Sequence, residues 1–288
     1  MHKQRIMVAL AASGLLALAG SASALTVTTT GNPTTLANNI LGPGVTLVSA
    51  SYSGASVASG TFTGGAAAGI GIEKGIVLTS GYAQNVNGNA NTSDGITGNN
   101  GLGGYGPLNA LIPGYSTLDA TLLTLTFTTT GGDLFFNYVF GSEEYNEYVG
   151  SSYNDVFGFF LNGTALANNI ALIPGTSTPV AINNVNGGNN SAYYKNNDPS
   201  DGVPTPYPFE YDGFTTVFTA SALNLAPGNH TIVLAIADAG DRILDSGVFI
   251  QAGSFSDTPQ PPGVPEGGVT ALLLGLALAG MSLVRRRA

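Results

Sequence analysis

The chain has 288 residues, no cysteine, and seventeen acidic residues against eight basic ones. A disulfide framework and thiolate chemistry are excluded, and the negative field disfavours nucleic acid and anionic headgroups as partners. The imbalance is sharpest in residues 25–263, where Lys74, Lys195 and Arg242 face sixteen acids, a surplus that attracts divalent cations.

The chain opens on an export signature. Lys3 and Arg5 give a basic start, residues 6–20 form an apolar run rich in Ala and Gly, and Ala22 and Ala24 fit an A-x-A cleavage site. Residues 1–24 therefore read as a signal peptide, handled by the Sec translocon and signal peptidase; an uncleaved N-terminal anchor is the alternative.

Residues 25–257 are expected to form one all-β domain, a β-sandwich of jelly-roll type. The warrant is a period of two: Leu123, Leu125 and Phe127 alternate with threonines, Leu134, Phe136, Tyr138 and Phe140 share one face, and so do Ile232, Leu234 and Ile236. Many short runs of this kind bounded by Gly, Asn, Asp and Pro argue for stacked sheets. Residues 34–41, TTLANNIL, are the one short helical window. Residues 84–106, rich in Asn and Gly, read as a long loop, either inside this domain or at the boundary of an N-terminal β subdomain. His230 opens the run HTIVLAIAD as a strand-edge side chain. No nucleophile elbow, H-E-x-x-H, C-x-x-C or phosphate loop accompanies it, so no catalytic or cofactor-binding residue is assigned and a non-enzyme is expected.

The informative stretch is FGSEEYNEYVGSSYNDVFGFFLNG, residues 140–163. It crowds Glu143, Glu144, Glu147 and Asp155 between two apolar runs, DLFFNYVF and DVFGFFLN. Paired as a hairpin, those runs make residues 141–154 the loop. A second acidic segment, ADAGDRILDSG, joins HTIVLAIAD to GVFIQAGSF and puts Asp238, Asp241 and Asp245 in a second hairpin loop, with Arg242 as counter-charge. Carboxylates gathered at low dielectric must protonate or bind a cation. With no thiol and one histidine, a hard cation is favoured, and Ca2+ takes about six to eight oxygens. The expectation is one structural Ca2+ bridging the two hairpins, held by Glu144, Asp155, Asp238 and Asp241, with Glu143 and Asp245 as further candidates. The alternative is that these are ordinary polar loops. A retaining glycosidase also needs two carboxylates, but the neighbours Glu143 and Glu144 point to opposite faces of a strand. Tyr145 and Tyr148 are loop packing or, if exposed, a sugar platform.

The same residues carry a resemblance. FGSEEYNEY (140–148), YNDVFGFFLNG (153–163), AINNVN (181–186), DGFT (212–215) and IADAGDRILDSGVF (236–249) are similar, in that order, to the choice-of-anchor L family. The resemblance implies an extracellular β-rich domain with a C-terminal anchor, hence surface placement. It implies no established activity and supplies no catalytic residue.

Residues 258–267 read as a Pro-rich linker leading into a sorting motif, Val264, Pro265, Glu266, Gly267 and Gly268. Residues 268–288 follow as an apolar run and a basic cluster. As a helix, the uncharged 268–284 reaches about 25 Å against a bilayer core of about 30 Å. It is expected to be a transmembrane sorting helix at the lower limit of length, with Arg285, Arg286 and Arg287 as its cytoplasmic stop. Motif, apolar run and basic cluster together resemble the PEP-CTERM sorting signals of Gram-negative bacteria, with Gly267 in place of the second proline. That implies an exosortase-like processing enzyme; a plain uncleaved anchor is the alternative. The expectation for the whole is an exported protein. It passes through an inner-membrane intermediate to the outer envelope, cell surface or extracellular matrix and has a structural or adhesive role there, with surface polysaccharide as a candidate partner. A carbohydrate-binding module and, behind it, a glycan hydrolase are the alternatives.

Overall fold

Alternating apolar and β-branched residues become strands almost wherever they occur. The computed structural model describes residues 24–88, 90–202 and 207–262. In chain order the strands are β1 (Thr26–Thr29), β2 (Val45–Ser53), β3 (Ser59–Thr63), β4 (Lys74–Thr79), β5 (Thr117–Thr129), β6 (Leu134–Ser142), β7 (Val156–Leu161), β8 (Tyr194–Asn196), β9 (Gly213–Thr215), β10 (Phe218–Ala222), β11 (His230–Ala239) and β12 (Ser246–Gln251). Helix α1 (Pro33–Ile40) has proline in its first turn and Asn32 as its cap, whose Oδ1 accepts the Thr35 N–H at 3.0 Å. Its apolar side, Leu36, Ala37 and Ile40, sinks into the core.

Two sheets result. The larger runs β1-β3-β4-β12-β6-β9-β8, with β10 alongside the part of β6 that β9 leaves free; the smaller runs β2-β5-β11-β7. Between them lies an aromatic core. Phe140 and Phe157 stack at 5.2 Å, Phe136 and Phe159 meet at 4.9 Å, and Tyr138 meets Phe159 edge-on at 5.0 Å. The outer faces are also partly covered. Val77, Val139 and Phe249 face a second apolar cluster on the large sheet, and Val156, Phe160 and Ala235 face a third on the small one. That is why β7 and β12 are apolar on both faces instead of alternating.

The all-β, two-sheet architecture is the one expected. The jelly-roll expectation agrees with the interleaved order, β4-β12-β6-β10 in one sheet and β5-β11-β7 in the other, with further strands added at the edges. The two expected hairpins are corrected. β6 pairs with β12 and β7 with β11, so DLFFNYVF and DVFGFFLN lie in opposite sheets, as do β11 and β12. Their inward aromatics meet across the core, not along a ladder.

The transmembrane sorting helix expected as part of the fold is corrected too. Among the described residues no helix is long and apolar enough to cross a membrane. The eight residues of α1 rise only about 12 Å. Residues 268–288, on which that expectation was placed, lie outside the described residues. So do residues 1–23 and the motif Val264 to Gly268.

Candidate functional site

The strand pairing brings the two acidic segments together. Each is a crossover between sheets, and both lie at the same end. Ser142, the last residue of β6, sits opposite Ser246, the first of β12; Val156, the first of β7, sits opposite Ala237 near the end of β11. Four strand ends therefore frame one acidic region. Gly141 and Gly247 are register partners here, and the ring of Tyr211 lies over them. A Cβ would come within 2.8 Å of that ring at Gly141 and 2.5 Å of its hydroxyl at Gly247.

Asp155 is the joint between the crossovers. It is fully buried, and its Oδ1 accepts the Ala239 N–H at 2.7 Å. Its Oδ2 lies 2.7 Å from Ser246 Oγ, which is also 2.7 Å from Ser142 Oγ. Ser142 Oγ accepts the Glu144 N–H at 2.9 Å, and the Glu143 N–H donates to the Asp245 carbonyl at 3.1 Å. One carboxyl and two serines thus tie the large sheet to the small one.

The remaining acids fan out from this joint. Glu143 and Glu144 are each 1% exposed but diverge: Glu143 faces Asp212, Glu210 and Asp245, and Glu144 faces Asp155, Asp241 and Glu147. The divergence also removes them as a retaining pair. Asp238, on β11, is buried beside Asp155 and Asp245. Neither carboxylate oxygen of Glu143 or Asp238 closes a hydrogen bond of ordinary geometry; one oxygen of Glu144, one of Asp212 and one of Asp245 are also left open. Only the Ile96 backbone offsets the burial of Glu143, and only Ser80 that of Asp238. Asp241 sits at the rim, its Oδ1 accepting the Ile243 N–H at 3.0 Å.

Residues 90–105 cover this end. Asn91 Nδ2 donates to Asp212 Oδ1 at 2.5 Å, the Thr92 N–H donates to Glu210 Oε2 at 3.1 Å, and Thr97 Oγ1 accepts the Leu244 N–H at 2.9 Å. Asn100 Nδ2 donates to the Ser80 and Gly81 carbonyls. Arg242 does not serve the inner acids: it pairs with Asp119 at 3.3 Å, beside the Asn100 and Leu102 N–H groups. Lys195 is turned away, donating to the Gly69 carbonyl at 2.9 Å and lying over the rings of Tyr207 and Phe214.

The geometry does not gather the expected calcium ligands into one evident cage. Among the described residues no three His, Cys, Asp or Glu side chains gather closely enough to hold a metal ion. Of the four expected ligands, Asp155 spends both oxygens on Ala239 and Ser246, Asp241 accepts from its own turn at Ile243, Glu144 faces Asp155 and Asp241, and Asp238 is buried beside Asp155 and Asp245. The further candidates, Glu143 and Asp245, face the outer side with Asp212. Two crossovers side by side lay the carboxyls along a belt instead of around a point.

Protonation is one route to neutralising these carboxyls. Burial, reinforced by neighbouring carboxyls, pushes Asp155 up to about 8 and Glu144 up to about 10, and raises Glu143 and Asp238 well above the usual range. Burial pushes Asp212 to about 8 despite Asn91. It takes Asp245 only to about 6, because the Gly98 and Tyr82 backbone and the Asn85 side chain oppose it.

Sequence reasoning singled out both acidic segments but missed Asp119, Asp198, Glu210 and Asp212, which the fold brings in from elsewhere. The available signal was DGFT, which carries Asp212, and the Asn-rich run that supplies Asn91 and Asn100.

A family model, the choice-of-anchor L domain, matches residues 25–256. No curated protein and no solved structure matches the chain. The match takes in every strand, both crossovers and the covering loop, and on that footing the chain belongs to the choice-of-anchor L domain family.

Proposed function

We propose that this is an exported, non-enzymatic protein of the cell surface or extracellular matrix, with a structural or adhesive role. The observation that carries this reading is the extent of the family domain. Residues 25–256 form one choice-of-anchor L domain, and what remains at either side has the composition of an address. The Sec translocon and signal peptidase would act on residues 1–24. An exosortase-like enzyme would act on the tail, reading Val264, Pro265, Glu266, Gly267 and Gly268 with Arg285, Arg286 and Arg287. The tail enters here as a recognition sequence only. The acidic surplus fits a partner that is neither nucleic acid nor anionic lipid.

The geometry of the first crossover gives no support to a flat aromatic platform there. Tyr145 is buried with its hydroxyl donating to the Val185 carbonyl at 2.7 Å, and Tyr148 meets Tyr153 edge-on at 83°. Mass spectrometry of the protein from its own cells, with fractionation, tests the reading. The expected product begins at Leu25, lacks the three C-terminal arginines and lies outside the cytosol. A full-length cytosolic chain with both termini intact overturns it.

A further inference from the structure

We propose that a cleft beside the acidic end binds a neutral sugar unit of a glycan; this deepens the adhesive reading above and rests on it. The cleft lies between the first crossover, which contributes Asn146 and Val149, and the edge strand β8, which contributes Tyr194 and Asn196. Residues 186–191 and Asp201 close its sides. Its volume of about 540 Å³ falls within the range of about 300–1,000 Å³ usual for small-molecule sites.

The floor is already fixed before any ligand arrives. Tyr194 Oη donates to Asn146 Oδ1 at 2.6 Å, and Asn146 Nδ2 donates to Asn196 Oδ1 at 3.1 Å and to Asp201 Oδ2 at 2.8 Å. Asn196 Nδ2 donates to the same Asp201 oxygen at 2.6 Å. Tyr194 is backed by the ring of buried Tyr145 at 4.9 Å. Asn186, itself 1% exposed, holds the turn at Gly187 and Gly188 by accepting the Gly188 N–H at 2.9 Å and the Asn189 N–H at 2.8 Å. Such a network locks side-chain rotamers and lowers the ordering cost of binding.

What the network leaves over defines the ligand. Among the described residues Asp201 Oδ1 and Ser191 Oγ have no hydrogen-bond partner, so an acceptor and a hydroxyl stand at the rim. The Tyr194 ring and Val149 add an apolar patch between the amides. A sugar ring has this same division, with hydroxyls around the edge and C–H groups on the face. Charge narrows the class further. No basic side chain lines the cleft, and Asp198 and Glu147 lie close to Asp201 through Ser200, which is bonded to both. Uronates and sulfated sugars would be repelled.

The test is a glycan array carrying neutral and acidic glycans, probed with the purified full-length protein. The expected result is binding to at least one neutral glycan, reduced tenfold or more in Asn146→Ala and in Ser191→Trp. The second variant fills the cleft from an exposed position and leaves the network intact, so it reports even if Asn146→Ala fails to fold. Absence of neutral-glycan binding by folded protein, a preference for acidic glycans, or binding that Ser191→Trp leaves within twofold overturns the proposal. A protein found outside the cell that binds no glycan would sink the cleft and leave the surface reading standing.

Discussion

Raising the pH should loosen this protein at its acidic end, the reverse of ordinary acid denaturation. The perturbation is deprotonation of carboxyls that the fold holds protonated. Each has its folded value raised above the unfolded one, so the folded state binds protons that the unfolded chain releases. The contribution is complete below about pH 4 and is lost as the pH climbs through the folded values. Asp245 goes first, between about 4 and 6, followed by Asp155 and Asp212 towards about 8 and Glu144 towards about 10. Asp245 moves from 3.8 to about 6, roughly two units, and at about 1.4 kcal/mol per unit this is about 3 kcal/mol. That is a large share of the roughly 5–15 kcal/mol that holds a typical domain together. For a domain of this size it corresponds to about 6–12 °C in Tm. Tyrosine near-UV circular dichroism, in a chain without tryptophan, follows the melt from pH 4 to pH 9. A midpoint that is flat or rises over that range refutes the reasoning. So does a rise of several degrees on adding 1 mM CaCl2 at pH 8, since a cation at a hundredfold its Kd adds about 2.7 kcal/mol and would show that metal, not protons, neutralises the belt.

Other substitutions separate the parts of this account. Glu143→Gln, which keeps the shape and removes the titration, should raise Tm at pH 8, change it little at pH 5 and flatten the slope between; an unchanged slope counts against Glu143 as a proton holder. Asp155→Ala strands the Ala239 N–H and the Ser246 hydroxyl and should cost about 1–3 kcal/mol for each in urea unfolding. A loss below 1 kcal/mol in total would show that Asp155 does not join the sheets. Phe157→Ala removes a ring that touches Tyr138, Phe140 and Phe159 and should cost about 3–5 kcal/mol at every pH, because that part of the core carries no titrating carboxyl.

The alternation of residues 123–127, 134–140 and 232–236 made those strands legible, and the short window TTLANNIL, residues 34–41, did the same for the helix found at Pro33–Ile40. Which strand pairs with which was not legible. A period of two states which side chains face inward but not in which of two facing sheets the strand lies. Phe140 and Phe157 flank the acidic stretch in a way that suits a hairpin equally well; only the packing of whole sheets decides that they meet face to face across the core. The acidic end inherited that error. Two hairpins leave open where two loops lie, whereas two crossovers between the same pair of sheets force the acids of both to one end. Asp212 and Asn91 lie in segments the sequence marks, DGFT and the Asn-rich run, but their place in the belt, like that of Asp119, is not legible locally, because it is made by contacts 121 and 123 residues apart along the chain.

That topology also explains why the acids are placed where their burial is costly. At the end of a sandwich the last rung of each ladder lacks a next strand residue to cap it. Here Asp155, itself in neither sheet, accepts from Ala239 in the small sheet and lies 2.7 Å from Ser246 in the large one. A protonated carboxyl beside it can donate as well as accept, which a carboxylate cannot. Neutral Glu144 and Asp238 are therefore compatible with a closed end, whereas their anions need a further counter-charge, since Arg242 is committed to Asp119 and Lys195 to Gly69. The aromatic core sets whether the two sheets stack. The protonation state of a few carboxyls sets whether that end of the stack stays shut.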